Sequence, residues 1–190
     1  SECFRYLVTG DDEAKKHFDK TLDRMLSYRT LTGTDYFLAR AVIRIDGCNL
    51  DDCDNPNDGE WFLSPDGEWW VKADTSNDEV TSHMFMMGFA HDLCADESQK
   101  SAIVDHVDGI VGGLVENGYM LIDPQDGKPT SYGQFDPKYI NWWVEGRFAD
   151  GARRSAQMLG MLNLAYYLTA DPKYTESINY LITEHHYADN

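Results

Sequence analysis

The sequence has no apolar run of membrane-spanning length, so no transmembrane helix is expected. It is short of positive charge: Lys and Arg number 16 against 33 Asp and Glu, a formal net charge of -17. Phosphates would be repelled, which argues against nucleic acid and against anionic membrane surfaces as partners. The same excess favours divalent cations, or plain solubility. Cysteine is scarce. Cys3, Cys48, Cys53 and Cys94 contain no CxxC pair, so neither a zinc site nor a thioredoxin-like motif is present. There is no Asn-x-Ser/Thr sequon, and residue 1 is Ser rather than Met, which fits a processed secretory product or a fragment.

What is present is enough for one domain. The chain has 190 residues, is 42% hydrophobic and 13% aromatic, and can bury a core. An even cysteine count in an acidic, aromatic-rich chain points to two disulfides and an oxidising, extracellular compartment. Cys48 and Cys53 are close enough to staple their own loop, and Cys3 then pairs with Cys94. Residues 46–60 concentrate hard oxygen donors. Asp51, Asp52, Asp54, Asn57 and Asp58 are the candidate ligands for Ca2+. Pro56 interrupts the spacing an EF-hand needs, so a calcium loop here would be of another kind.

The pattern predicts a mainly α protein. Residues 1–10 read as an extended, β-prone arm, residues 11–32 as a helix, 33–76 as an acidic disulfide loop with a β-hairpin, and 77–190 as two αα-hairpins. The first helix carries Ala14, Phe18, Leu22, Met25 and Leu26 on one stripe. Residues 80–94 and 152–170 are apolar nearly all round and read as buried inner helices. Residues 97–117 and 174–186 are apolar on one side and read as outer helices. Gly109, Gly112 and Gly113 are expected to permit close packing. Inner helix, short acidic turn and outer helix then recur, as in helical solenoids and toroids.

The stretch Trp69–His83 concentrates the chemistry. Two tryptophans end an extended run, and Asp74-Thr75-Ser76 leads into a helix with Asp78 and Glu79 in its first turn. Glu79 and His83 are four apart, so one helix face would carry a carboxylate–imidazole pair. Asp74, Asp78, Glu79 and His83 are the candidate catalytic residues. Trp69, Trp70 and Tyr132 are candidate platforms for stacking sugars. Arg147, Arg153 and Arg154 are candidates for holding a uronate carboxylate.

The runs Lys72–His83, Glu116–Asp123, Asp126–Gly133 and Leu164–Tyr174 resemble segments of secreted proteins of the six-hairpin glycosidase-like superfamily. The similarity spans roughly residues 31–187. It implies an αα-hairpin array like part of an (α/α)6 toroid, with carboxylates and aromatics of the inner-helix mouths lining a sugar cleft. By position these are Asp74, Asp78, Glu79, His83, Trp70 and Tyr132. A complete toroid needs twelve helices, whereas five long ones are legible here.

Two functions follow. The first is an extracellular, cation-stabilised structural protein that self-assembles through open hairpin faces, with the N-terminal arm donated to a neighbour's sheet edge and Cys3 paired between chains. The alternative is a glycan-active hydrolase or lyase, or a binding domain using the same aromatic cleft.

Overall fold

Asp and Ser residues set the starts of most helices. The computed structural model describes residues 2–47, 60–141 and 148–189. α1 (Glu2–Thr9) is followed by α2 (Asp12–Thr30), whose cap Asp11 accepts from the Glu13 N–H. α3 (Asn77–Leu93) begins after Ser76, whose N–H donates to Glu79 at 2.7 Å. α4 (Glu97–Glu116) begins at Asp96, which exchanges bonds with Gln99. These reciprocal pairs satisfy the orphan donors of the first turn. Short α5 (Pro137–Ile140) and then α6 (Phe148–Thr169) and α7 (Pro172–Thr183) complete the helices, the latter with Asp171 as cap and Pro172 in the first turn.

Two small antiparallel sheets interrupt them. β1 (Ala41–Arg44), β2 (Trp61–Leu63) and β3 (Trp69–Lys72) form one, with β3 central. β2 and β3 are joined by Ser64-Pro65-Asp66-Gly67, where Asp66 accepts from Ser64 and from the Glu68 N–H. β4 (Met120–Ile122) pairs with β5 (Pro129–Gln134). The protein is therefore mainly helical with small antiparallel excursions, as the pattern predicts.

The expected N-terminal arm is corrected. Residues 4–9 are not a strand. They form α1, with Phe4, Leu7 and Val8 on one exposed side and Cys3 as its buried residue. A helix has no free strand edge, so donation to a sheet is ruled out for this segment. Cys3 bonds Cys94 within the chain, as the pairing argument expected. Cys48 and Cys53 lie outside the described residues.

In the first hairpin the expected inner and outer helices also exchange roles. α4, expected outside, is the most enclosed: Ile103, His106, Val107 and the run Ile110–Leu114 are buried. It packs on α2, α3 and α6. Its glycines explain the approach. A Cβ at Gly109 would sit 2.5 Å from the Asp35 carbonyl, and one at Gly113 would meet Tyr36, whose Cα lies 3.0 Å away. α3, expected to be enclosed, buries Val80, His83, Met84, Met87 and Ala90 but turns Phe85, Met86, Phe89 and Leu93 outward. α6 likewise exposes Tyr166 and Tyr167. α3 and α6 lie against each other, and α7 packs on α6.

Candidate functional site

The turn into α3 is held by backbone and side-chain links to two other elements. Thr75 donates to the Leu38 carbonyl at 2.5 Å, and Thr130 of β5 donates to the Thr75 carbonyl at 2.9 Å. Asp74 has a positive φ of 53°, and its carboxylate accepts from the Ser131 N–H at 2.8 Å. A non-glycine residue in that region is strained by roughly 1–2 kcal/mol. Here the two sheets are pinned together at that point.

The predicted carboxylates are brought to one mouth but are already engaged. Arg40 lies between Asp74, at 3.9 Å, and Glu79, at 2.9 Å. Glu79 also holds the Ser76 N–H. Asp78 is paired with Arg153 and accepts from Gln157 at 3.1 Å. Arg154 is 2% exposed and fully used: it donates to Asp150 and to the carbonyls of Tyr132 and Gln134, and lies over the Tyr139 ring. It is a clamp between α6, β5 and α5, not a free guanidinium. Arg147 lies outside the described residues.

The Glu79–His83 pair is not formed. His83 turns inward, and its Nε2 lies 2.8 Å from Nε2 of His106 on α4. One ring must donate and the other accept. Tyr28 stacks on the outer side of His83, with centroids 6.3 Å apart. Burial holds His83 down at about 4. His106 is held down at about 2, first by burial and then by His83 and Arg29. Both rings are neutral at pH 7. His106 was legible in principle, three residues after Ile103 and four before Ile110 on the same apolar stripe.

The aromatic candidates do not form one platform. Trp69 and Trp70 are neighbours on β3, so their side chains point to opposite faces. Arg24 covers the Trp69 ring at 4.3 Å. Tyr132 is exposed on β5. Asp123, which the spacing argument passed over, has its carboxyl pushed up: burial dominates, the Gln125 N–H offsets it, and Asp126 and Asp74 add repulsion.

The five proposed calcium ligands, Asp51, Asp52, Asp54, Asn57 and Asp58, lie outside the described residues. Among the described residues no cluster of three or more His, Cys, Asp or Glu has a metal-holding arrangement. Among them, no helix is long and apolar enough to cross a membrane.

Two apolar grooves flank α3. Between α3 and α6 runs a groove of about 420 Å³, lined by Met84, Phe85, Phe89, Gly160, Met161 and Leu164 among others. Between α1, α2 and α3 runs another, of about 510 Å³, lined by Phe4, Phe18, Leu22, Met25, Met86 and Phe89 among others. Phe89 joins them, with its ring 4.7 Å from Phe85 and 6.1 Å from Phe4. Charge is nearly absent: Asp92 in one lining and Glu2 in the other. Val8 is 84% exposed, Phe85 62% and Tyr167 65%, with Phe4, Leu7, Met86, Phe89 and Leu93 exposed beside them. At roughly 200 Å² for a fully exposed large side chain, Phe4, Phe85, Met86, Phe89 and Leu93 together leave roughly 450 Å² uncovered. Monomers usually show a largest patch of a few hundred Å². No protein-family model, no curated protein and no solved structure matches the chain.

Proposed function

We propose that this protein is an extracellular structural component that self-assembles, and that copies meet through the apolar face of α1, α3 and α6. The observation that carries the reading is the outward stripe Phe85, Met86, Phe89 and Leu93, continuous with Phe4 on one side and with the α6 groove on the other. Its exposed apolar area, roughly 450 Å², is about half of the roughly 800 Å² that each partner buries in a standard interface, the share that apolar surface usually supplies there. The occupant best suited to it is a second copy. The face is charge-poor on a chain of net charge -17, so a basic partner would find little to pair with there.

Like-charge repulsion between copies is screened within about 8 Å at physiological ionic strength. Divalent cations bridging carboxylates would reduce it further, and Ca2+ on the acidic loop is part of the proposal. The Cys3–Cys94 bond supports an oxidising compartment. We read the α3–α4 and α6–α7 hairpins as part of an α/α toroid of the six-hairpin glycosidase-like type, continued by a neighbour.

Sedimentation velocity over a concentration series tests this. Wild-type protein is expected to associate, and Phe85→Glu with Phe89→Glu to stay monomeric with an unchanged circular dichroism spectrum. A wild-type protein that sediments as a monomer at its highest soluble concentration overturns the reading. Association that survives a chelator overturns only the cation part.

A second reading, glycan hydrolysis, rests on Asp123, whose raised carboxyl neighbours Asp74. It requires turnover of a polysaccharide that Asp123→Asn abolishes; a polysaccharide panel left untouched by the wild type removes it.

A further inference from the structure

The chain has seven methionines, and they meet solvent very unequally. Met84, Met87, Met158 and Met161 are 2% exposed or less, and Met25 and Met120 are partly buried. Met86 is 41% exposed. Helix geometry makes the difference. Met84 and Met87 are three apart on α3 and share its inward face, whereas Met86 is turned about 100° from Met87 and looks out. Among the described residues no free cysteine thiol competes with it for an oxidant, because Cys3 and Cys94 are bonded to each other. Met86 is thus the sulfur of this molecule that a dissolved oxidant reaches most readily.

Met86 also lies within the apolar face. With Phe85 and Phe89 it lines the groove between α1, α2 and α3. A thioether suits such a contact, being apolar and flexible. Its sulfoxide does not, because the added oxygen is a strong acceptor that needs a donor. The side chains lining this groove have none to spare. Glu2 is itself an acceptor, and the Thr21 hydroxyl donates to the His17 carbonyl at 2.8 Å. In the free chain water hydrates the sulfoxide oxygen. A contact that covers the groove expels that water, so the added oxygen disfavours the associated state and leaves the free chain folded.

We propose that Met86 is a modification site, and that its oxidation to the sulfoxide by a hydroperoxide blocks self-association. This rests on the self-assembly reading and adds a regulation of the same contact. The step balances. A lone pair of the Met86 sulfur attacks the distal peroxide oxygen, the S–O bond forms and the O–O bond breaks. The proton of the transferred oxygen goes to the leaving oxygen. Sulfur is oxidised by two electrons, and the hydroperoxide is reduced to an alcohol, or to water when it is hydrogen peroxide.

The test treats wild-type protein with hydrogen peroxide over a time course. Mass spectrometry of digests reads the oxidised fraction at each methionine, and sedimentation velocity reads association in the same samples. Met86 is expected to oxidise first, and association to weaken about tenfold or more as it does, the scale of one polar group left unpaired in an apolar contact. Met86→Leu, compared with its own untreated sample, is expected to lose no association on the same treatment. Another methionine oxidising ahead of Met86 overturns the proposal. So does wild type that associates undiminished with Met86 oxidised, or a Met86→Leu protein that peroxide weakens as much as wild type; each of these leaves the apolar-face reading standing. Untreated wild type that stays monomeric overturns both.

Discussion

The buried His83–His106 pair makes stability depend on pH in a way that can be calculated. Both rings are held far below 6.5 in the folded chain, His83 at about 4 and His106 at about 2. In the unfolded chain each titrates near 6.5. As pH falls through 6.5, the unfolded state takes up protons that the folded state refuses. Stability is therefore full above 6.5 and is lost as pH falls from there toward the folded values. At pH 5 each unfolded imidazole is about 1.5 pH units into its titration while both folded rings remain neutral. That is worth about 2 kcal/mol per ring, about 4 kcal/mol for the pair. Against a typical total of roughly 5–15 kcal/mol the loss is large. It corresponds to a fall of roughly 8–16 °C in Tm for a domain of this size. The assay is urea unfolding at pH 7.5 and pH 5, for wild type and for His83→Leu with His106→Leu. The double variant replaces two mutually bonded rings by apolar groups of similar volume, leaving neither ring unpaired. Its stability is expected to change by less than half as much between the two pH values. Aspartates held low by their partners, such as Asp150 beside Arg153 and Arg154, lose their contribution only at lower pH. A double variant with the same pH 7.5-to-5 loss as wild type would refute the reasoning.

Two further predictions follow from packing. Gly113→Ala is expected to destabilise by about 1–3 kcal/mol, because its Cβ meets Tyr36 side chain and backbone together and neither can withdraw cheaply; a Tm equal to wild type would show that the segment around Tyr36 yields. Arg154→Met is expected to cost about 1–3 kcal/mol, since it strands the buried carbonyls of Tyr132 and Gln134, while Asp150 keeps its pair with Arg153. Denaturant midpoints with unchanged slope would measure it, and a loss under 1 kcal/mol would mean that water takes over those groups.

Local chemistry was readable residue by residue. Asp96 with Gln99, Ser76 with Glu79 and Asp171 before Pro172 announce helix starts because each bond closes within four residues. The Ser64–Gly67 turn announces its hairpin for the same reason. Cys3 with Cys94 followed once Cys48 and Cys53 were matched to each other by proximity. The helix of residues 4–9 was missed because Phe, Tyr, Leu, Val and Thr favour a strand when nothing else is known. Cys3 docked against α3 outweighs that preference.

Tertiary structure decided the rest. Whether His83 faces Glu79 depends on α4 arriving with His106, 23 positions away in the chain. Whether Asp74 is free depends on β5 arriving with Ser131, and Asp123 is perturbed only because the fold buries it near Asp74 and Asp126. Hydrophobic periodicity states which side of a helix is apolar but not what will cover it. The glycines of α4 let α2 and the Tyr36 segment close over that helix, while nothing among the described residues closes over Phe85 and Met86 of α3. The amino-acid order by itself determined the long helices, their caps and the long disulfide, though not the helix of residues 4–9, since the former depend on short-range geometry and a single pairing. Which helix ended up enclosed and which apolar face stayed open was settled only by how the elements packed, because burial is a property of neighbours that the linear order does not name.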